Sequence, residues 1–186
     1  MLNLANKITL LRILMTPLVV IFLYFPGPVC CVLATLAFML AAFTDWVDGY
    51  IARRENMVTS MGKFLDPLAD KVLICSVLIM FAYHQWAPAW IVIVIVCREL
   101  VVTGLRAMAI DEGIVLAADK FGKAKTVCEI IAIIPLMLHY PLFGYALWPI
   151  GEYLLYTALF LAVLSGCNYS YYFYKQMQAG IRNDAQ

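Results

Sequence analysis

Three short breaks, Tyr24–Pro28, His84–Pro88 and Tyr140–Pro149, interrupt an otherwise nearly continuous hydrophobic chain, and none of them contains a charged residue. Together with the charged stretches between them they divide the sequence into six apolar segments, at about 6–25, 29–53, 62–83, 89–110, 123–140 and 150–174. Each segment is near the roughly 20 residues a helix needs to cross a bilayer. Hydrophobic residues make up 65% of the 186 and charged residues 13%, against roughly 45–50% and 25% in soluble domains. A soluble domain of this size has too little interior to hide that apolar surface. Soluble enzyme, disordered chain and nucleic-acid binder are therefore excluded as classes. The expectation is a single all-α polytopic membrane domain over residues 1–186, with six transmembrane helices. The first run ends in Pro26-Gly27-Pro28 with no small-residue cleavage site before it, so it reads as a retained helix rather than a signal peptide.

Orientation follows from the basic residues. All thirteen Lys and Arg lie in or toward one set of connections, and the three breaks carry none. By the positive-inside rule both termini and the 53–63 and 107–123 loops are cytoplasmic, while Tyr and Trp crowd the opposite, interfacial side. His84 and His139 fall on that far side, where they read as interfacial polar residues rather than catalysts or ligands. The six cysteines, in or beside apolar runs and without a CxxC spacing, read as small membrane hydrophobes.

Several charges sit at an unexpected depth. Counted inward from the outer breaks at about 1.5 Å per residue, Asp70 lies roughly 20 Å in and Asp45 and Asp48 roughly 24–29 Å in. Arg98 and Glu99 lie only about 14–15 Å in, near the middle of a core about 30 Å thick. Ionisable groups at such depth are costly unless paired or hydrated, which makes them functional candidates. On a helix, Asp45, Asp48, Gly49 and Ala52 share one face, and Gly62, Asp66 and Asp70 share another. Four carboxylates converging in low dielectric would repel unless cations lay between them. An all-oxygen set suits a hard ion such as Mg²⁺ or Mn²⁺, and two such ions about 4 Å apart clamp phosphoryl transfer. Two blander roles are open: Asp66, beside Pro67, as a helix cap, and the small residues as helix-packing contacts.

These residues spell Asp45-x2-Asp48-Gly49-x2-Ala52-Arg53-x8-Gly62-x3-Asp66-x3-Asp70, eight identities across 26 residues. The pattern resembles the complete signature of the CDP-alcohol phosphatidyltransferases. Within that family the stretches NKITLLRI (6–13), DWVDGYIARR (45–54), FLDPLADKVL (64–73), RELVVTGLR (98–106) and FGKAKT (121–126) look like phosphatidylglycerophosphate synthases. The resemblance implies CDP-diacylglycerol as donor, glycerol 3-phosphate as acceptor and CMP as leaving group. It implies that Asp45, Asp48, Asp66 and Asp70 hold two divalent cations, with Asp70 also the general base. Arg53 would contact the donor diphosphate, and Gly49, Ala52 and Gly62 would make room for the cytidine. Asn6 and Thr9 would lie near the nucleotide. A homodimer in a bacterial cytoplasmic membrane, acting on its cytoplasmic side, is implied as well.

The chemistry is consistent with the residue types. A hydroxyl with a pKa far above 7 must lose its proton as it attacks phosphorus, so a carboxylate must lie nearby. Such transfers rest on positioning and electrostatics, without a protein nucleophile. An anionic acceptor also needs cations, and Arg98, Arg106 and Lys123, with Lys125 secondary, are the candidates for a glycerol-phosphate pocket. The alternative for the lysines is contact with anionic lipid, and for Arg98 a structural pair with Glu99 or Glu129. Two other functions compete: the same transfer to another alcohol, such as inositol phosphate or serine, and a small cation transporter. Transport would need polar residues continuing to the outer face, and the outer halves of the second and third segments have almost none.

Overall fold

The computed structural model describes residues 4–55, 60–111, 120–141 and 144–184. Among these it consists of six helices and no strand: α1 (Leu4–Tyr24), α2 (Pro28–Glu55), α3 (Ser60–Tyr83), α4 (Ala89–Asp111), α5 (Lys120–Met137) and α6 (Trp148–Asp184). The all-α expectation and the six segments are met. Two ends differ. Helix α5 stops at Met137, short of the expected 140, because Pro141 pushes the residue before it out of the helical region. Helix α6 runs on to Asp184, ten residues past the expected 174. Its apolar run stops there, but Lys175, Gln176, Met177, Gln178 and Ala179 are all good helix formers, so leaving the apolar zone does not end the helix.

Turn chemistry fixes the other boundaries. Pro28 opens α2, where its missing N–H costs nothing, and the Gly27 carbonyl accepts from the Cys31 N–H at 2.9 Å. Pro88 plays the capping part before α4, its carbonyl accepting from Ile91 at 3.0 Å. Helix α3 closes with paired reverse hydrogen bonds, Trp86 N–H to Phe81 O at 2.8 Å and Gln85 N–H to Ala82 O at 3.2 Å. This is a Schellman cap, which demands a left-handed residue where glycine is usual. Gln85 supplies it with φ 61°.

Helix α1 packs on α2 and α3, α5 lies along α6, and α4 also packs on α6. Helices α5 and α6 approach closely at Gly151. A Cβ added at Gly151 would come within 2.7 Å of the Leu136 backbone nitrogen and 3.0 Å of the Ala132 oxygen. The interior is apolar, with Val19, Phe38, Val77, Phe81, Ile95 and Leu136 all buried. Large apolar side chains also face outward, among them Ile21, Leu36, Ile79, Ile93, Leu100 and Phe160. Among the described residues, one stretch, Trp148–Gln178, is long and apolar enough to cross a membrane by length and composition. Arg12–Tyr24, Pro28–Thr44 and Lys71–Tyr83 are shorter apolar stretches.

The three uncharged breaks gather at one end. Trp86 stacks on His139 at 4.5 Å and on His84 at 5.0 Å, while Tyr24 stacks on Tyr83 at 6.2 Å. His84 Nε2 is 2.8 Å from the Leu23 carbonyl, and the Tyr140 hydroxyl donates to Pro26 O at 3.4 Å. Both histidines thus serve in an aromatic junction between the turns, away from the carboxylate segments.

Candidate active site

The aspartates occupy the ends of α2 and α3 remote from that junction. Residues 45–55 are helical to the end of α2, and α3 is already helical from Ser60. Asp45 and Asp48 are therefore a helical turn apart on α2, as Asp66 and Asp70 are on α3. Gly49, Ala52 and Arg53 continue α2, Gly62 lies in the first turn of α3, and Asn6 and Thr9 lie in the first two turns of α1. The side chains of Asn6, Thr9, Asp45, Asp48, Ala52, Arg53, Asp66, Asp70 and Lys123, and the surroundings of Gly49 and Gly62, lie outside those the structure describes.

The second cluster is described in detail, and it centres on Glu99. Its Oε1 receives Arg98 Nη1 at 2.5 Å and Lys125 Nζ at 2.6 Å. Lys71 Nζ lies 3.4 Å from Oε2 and donates to the Glu99 backbone oxygen at 3.3 Å and to the Thr103 hydroxyl. Lys125 is fully buried and also contacts Glu129 at 2.5 Å, one helical turn along α5. Arg98 turns toward α6, where its Nε donates to Ala162 O at 3.2 Å and its Nη2 to the Ser165 hydroxyl. Gly166 makes room for it, since a Cβ there would meet Arg98 Cγ at 3.1 Å. One carboxylate thus joins cations from α3, α4 and α5, and through Arg98 reaches α6.

Of the four residues proposed for an acceptor pocket, Arg98 and Lys125 are brought together on the same oxygen of Glu99. Arg106 stands apart on α4, exposed, with its guanidinium 5.9 Å above the Tyr169 ring. The pairing of Arg98 with Glu99 was one of the two roles open from the sequence. It is present, and it still leaves Arg98 N–H groups uncommitted among the described residues, because a guanidinium has five.

A family profile described as CDP-alcohol phosphatidyltransferase matches residues 2–164. The chain belongs to this family. A CDP-diacylglycerol–glycerol-3-phosphate 3-phosphatidyltransferase of Bacillus subtilis (strain 168) is 44% identical over 181 residues, covering 91% of this chain and 94% of the relative. One of Rickettsia bellii (strain RML369-C) bearing the same name is 36% identical over 168 residues, covering 90% and 93%. A third, from Blochmanniella floridana, is 35% identical over 173 residues, covering 91% and 90%.

In this phosphatidyltransferase family member the four aspartates expected to hold a metal would make a donor set chemically suited to a hard divalent cation. Both segments are helical and offer carboxylates at one-turn spacing, with no thiolate or imidazole in the set. Three participants in the cationic cluster were not foreseen from the sequence: Lys71, Thr103 and Ser165. Lys71 could have been suspected from its depth, one residue from Asp70. Ser165 carries no such signal, because its partner is 67 residues away in sequence and only the packing of α4 on α6 joins them.

Proposed function

We propose that this chain transfers the phosphatidyl group of CDP-diacylglycerol to glycerol 3-phosphate, giving phosphatidylglycerophosphate and CMP. The acceptor hydroxyl attacks the phosphorus that bears diacylglycerol, the phosphorus–oxygen bond to CMP breaks, and the hydroxyl proton passes to Asp70. The observation that carries the reading is the identity, along nine-tenths of both chains, to relatives bearing that enzyme name. The spacing of the eight motif residues on α2 and α3 supports it.

In this reading Asp45, Asp48, Asp66 and Asp70 would hold two divalent cations, Mg²⁺ or Mn²⁺, which when bound neutralise charge developing on the phosphates. Arg53 binds the donor diphosphate, and Gly49, Ala52, Gly62, Asn6 and Thr9 accommodate the nucleotide. Arg98, Arg106 and Lys123 receive the acceptor phosphate, with Lys125, which is buried, secondary and acting through Glu99. The single domain is a multi-pass protein of the bacterial cytoplasmic membrane, with six spans, both termini and the active site on the cytoplasmic side, and two copies forming a homodimer. Apolar side chains on both the inward and outward faces of the helices support that placement, since a helix facing water on one side would be amphipathic.

The test is CMP release by purified protein given CDP-diacylglycerol, Mg²⁺ or Mn²⁺, and a panel of acceptors. Glycerol 3-phosphate should be the effective acceptor, and Asp70→Asn should abolish turnover while retaining donor binding. No CMP with any acceptor would sink the enzyme reading. Release only with an uncharged alcohol would sink the choice of acceptor.

A further inference from the structure

The Glu99 cluster is more elaborate than a helix-to-helix pin requires. Among its described side chains, three cations (Lys71, Arg98, Lys125) meet two carboxylates (Glu99, Glu129). With all five ionised, the group carries one positive charge more than it neutralises. Arg98 and Lys125 touch the same carboxylate oxygen at 2.5 and 2.6 Å, so their nitrogens are no more than about 5 Å apart. Glu99 therefore fixes the Arg98 guanidinium as a donor poised for an anion, with Lys125 bracing it from the buried side.

Donor capacity favours the same conclusion. Among the described residues, Arg98 commits Nε to Ala162 O, one Nη1 hydrogen to Glu99 and one Nη2 hydrogen to Ser165. Two of its five N–H groups remain. Lys125 donates to Glu99 and pairs ionically with Glu129, and its ammonium is sealed from solvent. Lys71, for its part, is fully engaged with Glu99 and Thr103. Arg98 is thus fixed in place with hydrogens to spare, and the two lysines serve as ballast for the carboxylate that fixes it.

We propose that Glu99 is the positioning residue of the acceptor-phosphate pocket: its carboxylate, braced by Lys71 and the buried Lys125, holds the Arg98 guanidinium in place before the acceptor arrives. Ser165 assists by anchoring the far side of the Arg98 guanidinium. The proposal rests on the reading that the acceptor carries a phosphate. Glu99 itself does not touch the acceptor; it acts through Arg98, so its effect falls on acceptor affinity rather than on the chemical step.

The experiment measures CMP release by the full-length protein, with glycerol 3-phosphate and CDP-diacylglycerol varied separately and inorganic phosphate as a competing anion. Glu99→Gln keeps the shape and removes the charge. It should raise the acceptor KM by about tenfold, the scale of one charge-assisted hydrogen bond, and weaken phosphate inhibition in parallel. Donor KM and kcat at saturating acceptor should stay within about threefold. Glu99→Asp, which retains the charge, should recover part of the loss. Ser165→Ala removes no buried charge; it should raise the same KM by about threefold and decides the matter if Glu99→Gln does not fold.

An unchanged acceptor KM in the variants, with an active wild type, would overturn this proposal alone. Equal rises in both KM values together with a lowered melting temperature would reduce Glu99 to a structural pin. If the wild type used only an uncharged alcohol, the acceptor reading and this proposal would both fall.

Discussion

Replacing Lys125 with methionine isolates the stability of the buried charge cluster. The side chain is inaccessible to solvent, with its ammonium 2.6 Å from Glu99 and 2.5 Å from Glu129. Methionine nearly matches the aliphatic stem in volume, so the cavity contribution is small and the lost charge dominates. Glu99 would keep Arg98 and Lys71. Glu129, itself 1% exposed, has Lys125 as its only ionic partner among the described residues. Removing one member of a buried pair typically costs about 3–5 kcal/mol, because the survivor is left uncompensated. For a chain of this length that corresponds to a fall in melting temperature on the order of 10 °C. The assay is retention of monodisperse protein after stepwise heating in detergent, read by size exclusion. The double variant Lys125→Met with Glu129→Gln removes the stranded charge and should recover all but about 1 kcal/mol, a coupling of at least about 2 kcal/mol. A Lys125→Met protein as stable as wild type, or a double variant no more stable than the single, would refute the assignment of Glu129 as a charge dependent on Lys125.

Three further outcomes are expected. Gly151→Ala places a methyl 2.7 Å from the Leu136 backbone nitrogen and should lower stability by about 1–3 kcal/mol in the same heating assay; no change would mean α5 and α6 are not so close. Gln85→Gly relieves the left-handed φ of 61° at the end of α3 and should stabilise by up to about 1 kcal/mol, and a loss of stability would show that the glutamine side chain matters more than its backbone. EDTA should abolish CMP release, with recovery on adding Mg²⁺ or Mn²⁺, whereas activity indifferent to chelation would remove the divalent cations from the mechanism.

The helices were legible because their punctuation is local. Pro28 and Pro88 start α2 and α4, and the apolar runs between charged stretches mark the rest. The motif was legible for a different reason: eight identities fall within two adjacent helices, so spacing alone places the carboxylates a turn apart. The cationic cluster was only half legible. The depth of Arg98 and its adjacent Glu99 were visible, and Glu129 was open as an alternative partner for Arg98. That Lys71 and Lys125 converge on the same carboxylate, from 28 and 26 residues away, depends on α3, α4 and α5 packing together. The overrun of α6 was missed because hydropathy reports the end of an apolar run, while helix formation depends on propensity and persists beyond it.

The two sets of acids have different parts in the proposed mechanism, and Lys71 marks the boundary between them. Glu99 and Glu129 receive their counter-charges from the chain itself, through Lys71, Arg98 and Lys125. Asp70 immediately precedes Lys71, so the nearest cation in sequence to the proposed general base is this lysine. Its ammonium, however, is directed to Glu99 and Thr103 on α4. A lysine paired with Asp70 would compete with divalent cations for the carboxylate and would lower its capacity to accept a proton. By engaging Lys71, α4 commits this cation to the Glu99 cluster. On the proposed mechanism this separates an end that gathers metal from an end that gathers acceptor phosphate, with adjacent residues of α3 serving each.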